Sequence, residues 1–169
     1  MRAVRDKCSD HNHRTVLATV GFSKGKHYWE ITAQQIEGNT SIYLGICKKV
    51  DSVTLAELRD TYGLLIPENK KFLRPPDSGN YTLDRKTHGQ PAKNGDVYGT
   101  LLEFDGEGKG SLTFFRNGAS MGQLFTEIAA GEYYPCISLG HGSNTVTLNS
   151  RPTMPEKPYR MMSGIEEEE

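Results

Sequence analysis

Three short stretches hold residues of types that could do chemistry. Cys8, Asp10, His11 and His13 put a thiol, a carboxyl and two imidazoles within six residues, all of them zinc-ligand types. No second cluster completes a tetrahedral set, so no metal is assigned to them. Residues 105–110 (DGEGKG) alternate glycine with charge in the manner of a calcium loop. Counted from Asp105, however, Lys109 takes the fifth place and Arg116 the twelfth, where oxygen ligands are required. A strand pattern, not a helix, follows these glycines, so they cannot cradle a phosphate at a helix N-terminus. Residues 140–143 (GHGS) bring His141 close to Ser143 but do not form G-x-S-x-G, and they lie between strands, not on a strand-to-helix elbow. A nucleophile needs a base within reach, and no spacing announces one. No pair of carboxyls is marked out for glycoside hydrolysis. The expectation is a protein without catalytic residues, cofactor or metal.

Composition narrows the partners. The chain has 169 residues, enough for one ordinary domain. Lys and Arg number 20 against 21 Asp and Glu, giving a formal charge of −1, and four of the acids form the terminal run 166–169. Without a basic excess or a Lys/Arg run, neither a nucleic-acid partner nor an anionic membrane is expected. No segment approaches the ~18 apolar residues of a membrane helix, and the polar N-terminus lacks the apolar centre of a signal peptide. Cys8, Cys47 and Cys136 are odd in number and widely spaced, which fits a reducing compartment and a cytoplasmic location.

The elements that must position any site read as strands. Alternation over short runs recurs at residues 15–20, 27–33, 41–47, 96–104, 111–116, 123–125, 134–139 and 145–148, punctuated by glycine and asparagine. In the run 27–33, Tyr28 and Glu30 face one way while His27, Trp29 and Ile31 face the other. The run 41–47 is apolar on both faces and is expected to be buried. Asn117-Gly118 forms the turn pair that accepts positive φ most readily. Residues 50–58 could make a short helical turn with Ser52 as N-cap, and residues 67–94 read as a long decorated loop region. Many short strands and almost no helix predict an all-β fold, a two-layer antiparallel β-sandwich of about 11–13 strands.

Five blocks in order carry a family resemblance: 25–31 (GKHYWEI), 43–46 (YLGI), 95–105 (GDVYGTLLEFD), 112–118 (LTFFRNG) and 134–139 (YPCISL). Together they resemble the SPRY (B30.2-type) domain, most like those of tripartite-motif ubiquitin ligases. The resemblance covers residues 14–150. It implies a bent, concanavalin-like jelly-roll sandwich; composition adds a polar N-terminal arm (1–13) and, from Pro152, Pro155, Pro158 and the Glu run, an extended, mobile tail (151–169). An evident PRY segment is lacking, and a tryptophan often found before a mid-domain glycine is here Tyr62. No RING, B-box or coiled coil is present, so ligase activity is not assigned to these residues. Trp29, Tyr43, Phe104, Phe114 and Tyr134 are expected in the core.

The resemblance further implies binding of a peptide or protein surface by loops gathered at one end of the sandwich. Transferred by position, the candidate loops are 5–13, 37–40, 50–61 and 140–143, with 67–94 at the rim. They supply Glu37, Asn39, Leu55, Leu58, Arg59, Tyr62, Arg74, Gly140, His141 and Gly142 as partner-binding candidates. Leu55 and Leu58 either anchor a partner or pack beneath their own loop. Tyr62 is of a type enriched at interface hot spots, Arg59 and Arg74 can hold a carboxylate bidentately, and Gly140 and Gly142 leave backbone groups open to a peptide. The expected function is substrate recruitment by a non-catalytic module, monomeric as an isolated domain. The alternatives are a lectin-like or small-ligand sandwich and a scaffold domain docking within its own parent chain.

Overall fold

Strand-sized alternation becomes two stacked sheets. The computed structural model describes residues 13–37, 41–49, 58–76, 80–140 and 142–163, and residues 2–5 by their backbone. Among these residues twelve strands form: β1 (Arg2–Arg5), β2 (Arg14–Leu17), β3 (Lys26–Gln35), β4 (Ile42–Cys47), β5 (Thr61–Ile66), β6 (Lys70–Arg74), β7 (Thr82–Leu83), β8 (Asp96–Phe104), β9 (Gly110–Arg116), β10 (Ala119–Ile128), β11 (Tyr134–Leu139) and β12 (Asn144–Asn149). One sheet runs β1-β12-β3-β8-β9-β10 and the other β2-β11-β4-β5-β6-β7, with every strand pair antiparallel. The all-β, two-layer sandwich expected from the sequence is the observed architecture.

The two-residue period decides what lies between the sheets. Trp29, Ile31 and Ala33 of β3 point inward, as the alternation required, and meet Ile42, Leu44 and Ile46 of β4 together with Tyr98, Leu102, Leu112 and Phe114. β4 is buried on both faces. Its outward residues Tyr43 and Cys47 join Leu58, Phe72 and Cys136 in a second, smaller cluster on the outer side of the sheet. Of the five aromatics assigned to the core, Trp29, Tyr43 and Phe114 are buried, and Phe104 is half-buried against it. Tyr134 is the exception. It is only partly covered and its hydroxyl donates to Glu132.

The turn at Asn117-Gly118 has φ of 50° and 79°, the left-handed pair that a two-residue hairpin of this type demands. Three segments depart from the expectation. The arm contributes β1, which extends the first sheet beside β12. The region 67–94 contains the hairpin of β6 and the short β7. The tail is not free over its described part. Ser120 N–H donates to Arg160 O at 2.6 Å and Met162 N–H to Ser120 O at 2.8 Å, while Tyr159 sets its edge on Phe115 (5.0 Å, 87°). Phe115 points out of its sheet yet is fully buried; an apolar ring there needs a cover, and the tail supplies it.

Candidate functional site

Register divides the candidate residues into two groups. β4 pairs Ile42 with Ile66 and Leu139 at one end, and at the other Ile46 with Tyr62 and Cys47 with Tyr134. Glu37, Gly140 and Gly142 belong to the first end; Leu58, Arg59, Tyr62 and Arg74 belong to the second. About 17 Å of strand separates them at ~3.3 Å per residue. The expected single gathering of loops is therefore corrected to two ends. Asn39, Leu55 and His141 lie outside the described residues.

At the first end the polar groups satisfy one another. Gly140 N–H donates to Ser41 O at 2.9 Å and its carbonyl accepts from Asn144 Nδ2 at 3.5 Å; a Cβ on Gly140 would lie 2.7 Å from Ser41 O. The glycine is there for close strand approach, and its backbone is not open to an incoming peptide as the sequence suggested. Asn144 Oδ1 accepts from Glu37 N–H at 3.1 Å, and Asn94 Oδ1 from Ile36 N–H at 2.9 Å. Behind them, Arg116 Nη2 meets Asp96 Oδ2 at 2.6 Å and also donates to Pro91 O at 2.9 Å, while Arg116 Nη1 donates to Gln90 O. Asn69 accepts from Tyr98 Oη at 2.8 Å and donates to Gln90 O at 2.7 Å. Burial works against the Asp96 carboxylate, yet hydrogen bonds from Asn117, the Lys93 backbone and Arg116, with the Arg116 charge, hold its pKa below the ordinary value.

At the second end an aromatic and cationic platform stands on the outer face of the β4–β5–β6 sheet. Its base is Tyr43, whose ring lies across the paired glycines Gly45 and Gly63: a Cβ on Gly63 would come within 2.7 Å of the ring, and one on Gly45 within 2.7 Å of the hydroxyl. Only glycine fits beneath it. Tyr43 Oη donates to Ile46 O at 3.1 Å. Phe72 sets against Tyr43 (5.1 Å, 68°), and Tyr81 stacks on Phe72 (5.2 Å, 18°) with 57% of its surface exposed. The Arg74 guanidinium lies 6.0 Å from the Phe72 ring and 5.8 Å from that of Tyr81, within cation–π range. Burial first and the neighbouring Arg59 charge second lower the Arg74 pKa, so two guanidinium groups share this end. Arg59 is half-buried and donates to Leu58 O at 2.8 Å.

Leu58 is fully buried in the outer cluster, which decides its alternatives in favour of packing beneath its own segment. Tyr62 points to the opposite face of β5 from this platform. It is half-buried and packs edge-on to Phe125 (5.6 Å, 83°) and Tyr133 (6.0 Å, 76°), so it closes the end of the main core. Burial, then the Asp60 charge, raises its pKa. The platform residues not foreseen are Phe72 and Tyr81. Their signal was the alternation of KKFLR at 70–74 beside an Asn69 able to turn the chain at positive φ (55°). Cys136 lies in the same cluster; burial first and its contact with Cys47 second push its thiol pKa well up, which keeps it protonated.

Comparison with known proteins follows the same lines. A curated relative, the E3 ubiquitin-protein ligase TRIM9 of Drosophila melanogaster, is 25% identical over 150 residues, covering 87% of this chain and 19% of the relative. The Set1/Ash2 histone methyltransferase complex subunit ash-2 of Caenorhabditis elegans is 38% identical over 73 residues, 43% of this chain and 12% of that protein. The chain thus spans no more than a fifth of either relative. Among solved structures, the SPRY domain of human HERC1 superposes with a TM-score of 0.63 at 18% identity, covering 85% of this chain and 86% of that one. A carbohydrate-binding module, CBM66 from Bacillus subtilis, superposes at 0.56 with 11% identity over 88% of each chain. At these identities the structural likeness establishes the fold alone. The sequence family that matches, over residues 26–151, is the SPRY domain, and this chain belongs to that family.

Proposed function

We propose that this SPRY domain, a member of a family of protein-interaction modules, is non-catalytic and grips a peptide or a protein surface at the end that carries Arg59, Arg74 and Tyr81. The observation that carries the reading is the exposed Tyr81 ring, stacked on Phe72 with the Arg74 guanidinium against both. Tyr and Arg are the residue types enriched at interface hot spots, and a ring already held in place loses little entropy on binding. The likeness to a TRIM-type ligase supports a role as the part that recruits a substrate for ubiquitin transfer. In this proposal the isolated domain is monomeric and works in the cytoplasm, the compartment in which free thiols such as Cys47 and Cys136 persist.

The test is selection of a displayed random library of about twelve-residue peptides on the folded domain, followed by titration of the enriched sequences. Arg59→Ala and Tyr81→Ala should each weaken binding about tenfold or more while the melting temperature stays nearly unchanged. Affinity unaffected by either substitution would overturn the assignment. Binding confined to sugars on a glycan array would favour the lectin-like alternative.

A further inference from the structure

On the far side of the same sheet the sandwich is not closed. β2 ends its sheet, and Val16 pairs with Ile137 of β11, on the face turned toward the other sheet. An inward residue should be covered, yet Val16 is 47% exposed, and Val20 just beyond the strand is 60% exposed. Between the sheets at this edge lies a slot of about 560 Å³, floored by Trp29 and walled by Phe22, Ile137 and Leu148. Its size falls in the usual range for ligand sites. Its lining includes two ionisable basic side chains, Lys26 and His27, and no carboxylate. His27 is stacked on Phe22 (3.7 Å, 14°), and Lys26 reaches Glu103 at 2.8 Å.

The strand edge identifies the kind of occupant. Ala18 N–H donates to Pro135 O at 2.8 Å, so by antiparallel alternation Val16 also turns its backbone groups toward β11, while Thr15 and Leu17 turn theirs away. Among the described residues no strand pairs with that outer edge. A strip of open donors and acceptors beside an apolar slot matches a polypeptide strand: its main chain would continue the sheet and every second side chain would drop beside Val16. A lipid or a small apolar molecule would use the slot and leave the edge idle.

We propose that β2 is a strand-addition site for an extended, alternately apolar segment of a partner protein, separate from the Arg59–Tyr81 platform. The probe is again a displayed random library of about twelve-residue peptides selected on the full chain. The expected result is a class of clones with alternating apolar residues. Their binding should fall about tenfold or more in V16E and in V20E, both exposed enough to leave folding intact, and should be unchanged in R59A and Y81A. Bound peptide should slow hydrogen exchange at the Leu17 amide. Clones lost in R59A or Y81A but kept in both valine variants report the platform alone and would overturn the slot proposal. So would a complete lack of V16E-sensitive clones, decanoate filling the slot with the Leu17 amide still exchanging freely, or a V16E-sensitive dimer formed without peptide.

Discussion

Around Gly140 and Asn144, and in a second set around Asp96 and Asn69 at the same end, donors and acceptors are turned on one another. At the opposite end of β4 and β5 the chain places stacked rings, two guanidinium groups and an exposed tyrosine. The same two strands run between them. Buried polar groups that find partners fix a fold, because leaving any one of them unsatisfied is expensive. The exposed Tyr81 ring and the half-buried Arg59, standing on a buried base of Tyr43, Phe72 and Arg74, can instead offer area to something else at small entropic cost. In the proposed division the first end holds the sandwich together, and the exposed part of the second varies its contacts without unfolding it. Substitutions should therefore separate: large stability losses with intact binding among the polar groups of the first end and at Leu58, buried beneath the platform, and binding losses with intact stability at the exposed Tyr81 and the half-buried Arg59.

The largest effect is expected at Arg116. Removing it strips the nearly buried Asp96 carboxylate of its partner and frees the Gln90 and Pro91 carbonyls that it holds. Arg116→Ala should cost about 3–5 kcal/mol in urea unfolding, while peptide affinity at temperatures where the variant stays folded remains that of the parent. A loss of affinity at equal folded fraction would break the division between the ends. Next comes Leu58, which is buried under the platform without contributing a polar contact of its side chain. Leu58→Ala should cost about 2–4 kcal/mol and thin the cover over Cys47 and Cys136. Faster alkylation of native thiols by iodoacetamide would show this directly, and a rate equal to that of the parent would show that Leu58 shields neither.

Acid should act through the first end. The Asp96 pKa is lowered on folding, so its contribution to stability is complete above the unfolded value near ~3.9 and disappears as pH falls through the folded value. Urea midpoints of the parent chain should drop as pH falls from about 5 through the ordinary carboxylate range and below it. Asp96→Asn should be less stable at neutral pH and lose less across that window. An identical acid dependence in the two proteins would remove Asp96 from the account.

How much of this division could be read from the chain depends on range. The turn at Asn117-Gly118 and the inward set Trp29, Ile31 and Ala33 follow from local rules, positive φ in one case and a two-residue period in the other, and both were legible. The platform was half legible. Arg59 and Arg74 were candidates by residue type, but Tyr81 becomes their neighbour only because β6 turns back on β5 and β7 on β6, pairings that join residues through a region reading as loop. Gly140 was misjudged for a related reason. A glycine in a turn exposes its backbone unless another strand needs it for close approach, and Ser41 is 99 positions away in sequence. The tail shows the same limit. Nothing local marks Tyr159 as the cover for Phe115; what calls it in is an aromatic ring on an outward position that Tyr28 meets from one side (5.8 Å, 90°) and Tyr159 from another.

The smallest effect on stability, and the sharpest test of the comparison, belongs to Tyr81. More than half of its surface is exposed, so Tyr81→Ala removes one face of a stacked pair, worth about 0.5–1.5 kcal/mol beyond area, and leaves the Tyr43–Phe72 contact beneath it in place. Arg74 loses one of the two rings flanking its guanidinium but keeps Phe72. The melting temperature should shift by only a few degrees, against an affinity loss of about tenfold or more for peptides selected on the platform. Tyr81→Phe separates the two contributions of that side chain. It keeps the stack and the cation–π face while deleting the hydroxyl, so full recovery of affinity means that the ring surface grips the partner, and recovery of stability without affinity means that the hydroxyl does. If Tyr81→Ala instead unfolds the protein as readily as Arg116→Ala, the platform belongs to the scaffold and the contrast between the ends collapses.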